Sequence, residues 1–179
     1  SNLCSEKLHF ELTPDFFVNV AGEIVISTLG GKVTITNIEV EKIFSPYPKI
    51  KADVVFENID LAQISQHFSF GEMSGIIKGY IKNLVIAYGQ PERFELLIES
   101  VKQKGKRQMI SLAAVNNISI LAQGSPLMIS WFFPKRFPYQ RIGIKCRLKN
   151  DYFVIHGLVR KDDIEYLVKK RLFGIDVIN

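Results

Sequence analysis

The residues with the chemistry for catalysis or metal binding are three histidines, two cysteines and a short acidic run. His9, His67 and His156 stand far apart, and neither Cys4 nor Cys146 lies at a zinc-site spacing from them. The two cysteines make no CxxC redox pair. Asp162, Asp163 and Glu165 form an acidic trio beside a turn, the kind of cluster that a solvated surface carries. A phosphate-cradling glycine loop, a GxSxG elbow and an HExxH pair are all missing. Because no convergent set of titratable groups can be assembled, a non-enzymatic protein without metal or cofactor is expected.

What the chain has instead is spacing. Gly71, Gly75 and Gly79 recur every four residues and run into Ile76, Ile77, Ile81, Leu84, Val85 and Ile86. On one strand, residues four apart share a face. Glycine inside a strand marks a bend, a bulge or a close approach. Two readings follow: a bent strand pair packed on a helix, or a curved sheet whose glycine floor leaves room for a ligand. Upstream, Asp60 is placed to cap a short helix, with Leu61, Ile64, Ser65 and Phe68 along one face.

The elements around this stretch read as strands. Residues 7–13, Lys32–Val40 and Lys49–Glu57 alternate and read as strands, as do Phe16–Val20 and Glu23–Leu29, with glycine and proline between them. In the last of these Ile50, Ala52, Val54 and Phe56 face one way, and Lys51, Asp53 and Glu57 the other. Gln90-Pro91 closes the central pair, after which Phe94, Leu96 and Ile98 alternate with Glu95 and Glu99. Met109–Val115 reads as a strand and Asn116–Gln123 as one or two helical turns. In Arg141–Lys149, Ile142, Ile144, Cys146 and Leu148 point inward while Arg141, Lys145, Arg147 and Lys149 point out. Asn150-Asp151 turns the chain back along Tyr152–Arg160, and Ile164–Val168 and Leu172–Ile178 end it as extended segments. Gly31–Val40 (GKVTITNIEV) is echoed by Gly79–Tyr88 (GYIKNLVIAY), a repeat of one meander unit over residues 22–58 and 71–101.

The expected fold is mainly β: a large curved antiparallel sheet, as a groove or half-barrel, with two or three short helices, in one domain over residues 1–179. A sheet of about ten strands must curl, close or be covered. The apolar positions that would line a groove are Ile50, Val54, Phe56, Ile76, Ile81, Phe94, Leu96, Ile98, Ile142, Ile144 and Leu148. The same alternation would serve an ordinary core.

Charge is uneven. Residues 1–101 hold 8 Lys/Arg and 13 Asp/Glu, residues 102–179 hold 15 and 5, and the whole chain carries +5. Arg141, Lys145, Arg147 and Lys149, with the turn Lys102–Arg107, could meet an anionic membrane surface or merely solubilise a strand. Trp131 and Phe132, in a segment rich in aromatic and basic residues, fit either a core-capping plug or an interfacial anchor. Tyr139 and Tyr152 could stack on bases, but no RNP-type motif accompanies them, so nucleic acid is not expected. Cys146 reads as a small core residue that forms no disulfide with Cys4. Ser1-Asn2, without an initiator Met, looks like a tag remnant, so the chain is expected to be a piece of a longer protein.

Taken in order, Ile59-Asp60-Leu61, Gly71-x-x-x-Gly75-x-x-x-Gly79-x-x-x-Asn83-Leu84, Ala114–Ile118, Tyr139-x-x-x-Gly143-x-x-Cys146-x-Leu148, Tyr166–Val168 and Ile175–Ile178 resemble the periplasmic AsmA/TamB group. The likeness is especially to the C-terminal region of its YdbH-like members, labelled a dicarboxylate-transport domain. The resemblance covers about residues 20–179. It implies a periplasmic piece of a protein anchored in the inner membrane, and a segment of a lipid-transferring β-groove. The implied partners are phospholipid or fatty-acyl chains and neighbouring segments of the full-length chain. The other reading is a protein-interaction module that docks partners by its sheet edge.

Overall fold

Tight turns organise the chain. Leu29-Gly30, Tyr88-Gly89 and Asn150-Asp151 all have positive φ at both positions, from 50° to 75°, the geometry that matches the twist of two antiparallel strands. They join β2 (Val18–Thr28) to β3 (Gly31–Glu41), β6 (Ile76–Ala87) to β7 (Gln90–Val101), and β9 (Arg136–Lys149) to β10 (Tyr152–Gly157). Gln90 and Pro91 therefore open β7 and do not form the turn themselves. The remaining strands are β1 (Asn2–Leu12), β4 (Lys49–Asp60), β5 (Met73–Ser74), β8 (Met109–Ser111), β11 (Val159–Lys161), β12 (Ile164–Tyr166) and β13 (Val168–Lys170). This computed structural model describes residues 2–13, 16–67, 70–123, 134–161 and 164–170.

The protein is mainly β, with one large open antiparallel sheet and, among the described residues, two short helices, α1 (Leu61–His67) and α2 (Leu112–Gln123). The strands pair in the order β1-β2-β3-β4-β6-β7-β9-β8-β5, and β10 and β13 also pair with β9. The chain divides into two compact units. The first holds residues 1–57, 79–97 and 146–154; the second holds 58–78, 98–145 and 155–179. β4, β6, β7, β9 and β10 contribute residues to both.

The second unit has a conventional core. Ile110, Ala114 and Val115 are fully buried, with Ile118 of α2, Phe137, Tyr139 and Ile142 of β9, and Ile76 and Ile77 of β6 around them. α2 begins earlier than its apolar pattern implies. Ser111 caps it by accepting the Ala114 N–H at 3.1 Å, and Ala113-Ala114 favour helix, so the strand stops at Ser111. α1 is capped as expected: Asp60 accepts the Ala62 N–H at 2.9 Å and pairs with Lys106 at 2.8 Å.

Burial tends to raise the Asp60 carboxyl pKa, but the bonds from Lys106 and Ala62 outweigh it and hold the group below its ordinary value. A folded-state pKa below the unfolded one gives stability that is complete above the unfolded value, about 3.9, and is lost as pH falls through the folded value. Asp60→Ala is expected to cost about 0.5–2 kcal/mol at neutral pH and to flatten the acid limb of a thermal-unfolding profile below about pH 4.

The three glycines are filled positions. Gly71 and Gly75 have φ of 108° and 130°, so the chain bends there and only Gly79 lies within a strand. A Cβ on Gly71 would meet the Ala114 backbone, and one on Gly75 the Tyr139 hydroxyl, which donates to the Ser74 carbonyl at 3.0 Å. A Cβ on Gly79 would meet the Phe56 ring and the Leu97 carbonyl. Close approach explains all three, and the glycine floor holds no ligand space.

On β9, Ile142 and Cys146 are buried and Arg141, Lys145, Arg147 and Lys149 exposed, as the alternation requires. The Cys146 thiol is free, and burial pushes its pKa up to about 11. Cys146→Ser should lower stability by roughly 1–3 kcal/mol by burying a hydroxyl without a partner, read by chemical denaturation. The Cys4 side chain, residues 171–179, Asp162 and Asp163 lie outside what the structure describes.

Candidate functional site

In the first unit the strand register lines up apolar side chains in rungs. Phe10 of β1 stands opposite Val20, which stands opposite Ile38. Leu12, Val18, Val40 and Ile50 form a second rung across β1 to β4. Ile24, Ile35 and Val54 form a third, and Ile26, Val33 and Phe56 a fourth. Directly opposed residues share a face of the sheet. The intervening rungs are mixed, mainly polar or charged: Asn19, Glu39 and Lys51; Ser27, Lys32 and Glu57; Val25, Thr34 and Val55.

Holding the rungs on one face needs a correction midway. Apolar positions on β3 are odd before Asn37 (Val33, Ile35) and even after it (Ile38, Val40). An extra residue at the bulge restores the phase: the β3–β4 register slips between Thr36 and Glu39, with Asn37 at φ 53°. Gly22, φ 124°, lies at a matching slip between β1 and β2. On β6, Asn83 has the same φ of 53°, and the sequence pattern changes parity there, from Ile81 to Leu84 and Ile86. Asp53 joins both bulges, accepting the Asn37 side-chain amide and the Asn83 N–H at 2.7 Å each. A cleft of about 460 Å³ sits beside this clamp, lined in part by Glu39, Lys51 and Arg93. Lys51 is engaged by Glu41 at 2.7 Å and Glu39 at 3.1 Å; these bonds hold the Glu41 carboxyl below its usual range and the Lys51 ammonium above it. The echo between Gly31–Val40 and Gly79–Tyr88 was the signal for this clamp, since it places both asparagines at the bulges.

The apolar face is not sealed as the second unit's core is. Among the described residues, three of sixteen buried apolar side chains belong to the first unit (Val20, Ala87 and Cys146), against eleven of thirteen exposed large ones. Both helices belong to the second unit. Val18, Ile24, Ile26, Val33, Ile35, Val40, Ile50, Val54 and Phe56 are all half-buried.

The groove positions named from sequence therefore separate. Ile50, Val54 and Phe56 lie in the rungs. Ile81, Phe94, Leu96 and Leu148 are half-buried in the same unit, with Phe94 against the Phe153 ring at 6.5 Å. Ile98 and Ile144 are half-buried in the second unit, whereas Ile76 and Ile142 are 4% and 3% exposed there and belong to its core. The cationic row on β9 is half neutralised. Arg141 pairs with Glu99 at 2.9 Å and Arg147 reaches Glu95 at 3.8 Å, leaving Lys145 and Lys149 without an ion pair among the described residues. Trp131 and Phe132 lie outside the described residues; Phe137, from the same segment, is core.

Among the described residues no group of His, Cys, Asp and Glu could hold a metal, and no helix is long and apolar enough to cross a membrane, which says nothing of strands. No protein-family model, curated protein or solved structure matches the chain.

Proposed function

We propose that the first unit is an acyl-chain track: a segment of a lipid-transferring β-groove of the AsmA/TamB kind, in the periplasm and, in the full-length protein, anchored to the inner membrane. The observation that carries the reading is the four-rung apolar face of β1 to β4, left mostly half-buried in a unit with no helix among its described residues. Each buried methylene is worth about 0.8 kcal/mol, so about ten of them give roughly 8 kcal/mol before the 4–15 kcal/mol cost of association. Weak net binding of this kind suits a surface that passes lipid on, and it needs no catalytic residue.

Native mass spectrometry of protein purified from bacterial envelopes should show added phospholipid or fatty acid, and a fluorescent fatty acid should be displaced by unlabelled lipid. A clean apo mass with no fatty-acid uptake overturns the reading. One observation favours a second reading, partner docking by strand addition: β1 ends the pairing order, and among the described residues it pairs only with β2. Fast amide exchange along the outer edge of β1 that a partner protein slows would support that reading.

A further inference from the structure

Antiparallel order puts four chain reversals at one end of the first unit's sheet: those between β1 and β2, β3 and β4, β6 and β7, and β9 and β10. Their tips carry large rings turned to solvent. Phe16 is 55% exposed, Phe44 77%, Tyr47 61%, Tyr88 73% and Tyr152 78%. Rings of the first three tips meet: Phe16 packs edge-on against Phe44 at 5.4 Å, and Tyr47 against Tyr88 at 5.8 Å. The backbone is set to present them. The Ile43 N–H donates to the Phe16 carbonyl, and Phe16 and Tyr88 both occupy the left-handed region, at φ 58° and 53°, which bulky residues rarely adopt. Phe10 and Leu12, 69% and 61% exposed, lie on the same face as Val20 and Val18 at the end of β1 that leads into the rim.

We propose that this aromatic rim docks on a lipid bilayer, with the phenylalanine tips in the interface and the tyrosines at headgroup level. Three features select a bilayer as the occupant. Phenylalanine flanked by tyrosine is the composition of an interfacial belt, where a ring can bury its body and keep its hydroxyl wet. The rings project from several turn tips, and a contiguous exposed apolar patch of this kind marks an interaction site. Charge around the tips is balanced, with Lys42, Lys49 and Lys149 against Glu41, Glu92 and Asp151, and Lys49 paired with Glu92 at 3.2 Å. The contact therefore does not call for anionic lipid, unlike one made through the basic row of β9. The proposal goes beyond the acyl-track reading and does not depend on it.

Flotation of the protein with phosphatidylcholine vesicles tests it. The wild-type chain should float at low and high salt alike. Phe16→Asn, which suits the left-handed backbone, and Phe44→Ser should each weaken partitioning about tenfold, or 1.4 kcal/mol. Should Phe16→Asn fail to fold, Phe44→Ser alone carries the test. Fatty-acid uptake should be unchanged in these variants, so the docking and acyl-track readings fail separately. Absence of flotation, flotation only with anionic vesicles and lost at high salt, or unaltered flotation of the variants overturns the proposal. So does a rim-dependent dimer in sedimentation velocity without vesicle binding, which would make the rim a contact between two copies.

Discussion

Gly71→Ala is expected to destabilise the protein by about 3–5 kcal/mol, in the range that creates a partly unfolded population at physiological temperature. Two costs combine. At φ 108° an L side chain pays of order 1–3 kcal/mol for the backbone alone. The added methyl also runs into the backbone of Ala114 in the first turn of α2, which cannot swing aside as a flexible side chain would. Gly89→Ala and Gly105→Ala are the controls. Both positions have positive φ, but nothing stands within 4 Å, so only the conformational cost of about 1 kcal/mol remains. Urea titration of the three variants separates the terms; equal midpoints for Gly71→Ala and Gly89→Ala would show that the helix contact is not rigid.

The second large effect concerns lipid. Ile35 and Val54 face each other across β3 and β4 in the middle of the apolar face. Ile35→Asp with Val54→Asp puts two carboxylates, which repel each other, where an acyl chain would lie. Burying even one without a partner costs several kcal/mol, so bound lipid should fall by at least about a hundredfold. Stability should fall much less, because the free protein leaves both positions partly in water. Native mass spectrometry and thermal unfolding of the same sample measure the two effects. Loss of fold in step with loss of lipid would show that the face is ordinary core.

Legibility followed the range of the signal. The hairpin at Asn150-Asp151, the in-out pattern of Arg141–Lys149 and the cap at Asp60 are written within a few residues, and all three are present. The start of α2 is not legible locally, because Met109–Val115 is equally apolar as strand or helix and only the Ser111 cap decides between them. The bulges were written as a parity change at Asn37 and Asn83, but a parity change alone does not say that one carboxylate, Asp53, clamps both.

By itself the sequence determined the class of sheet, the positions of most turns and the segregation of apolar from charged side chains along each strand, because a period of two and the φ demands of tight turns are local. Only the tertiary structure decided which apolar residues are core. Ile142 and Val54 look alike in alternation, yet one lies in the unit whose core includes α2 and the other on a half-exposed rung. Tertiary structure also filled the glycine positions, with the Ala114 backbone, the Tyr139 hydroxyl and the Phe56 ring, and gathered the rings of separate turns into one rim. The physical reason is common to these cases: burial and close approach are set by what packs from elsewhere in the chain, and a strand's own sequence records only which side is apolar.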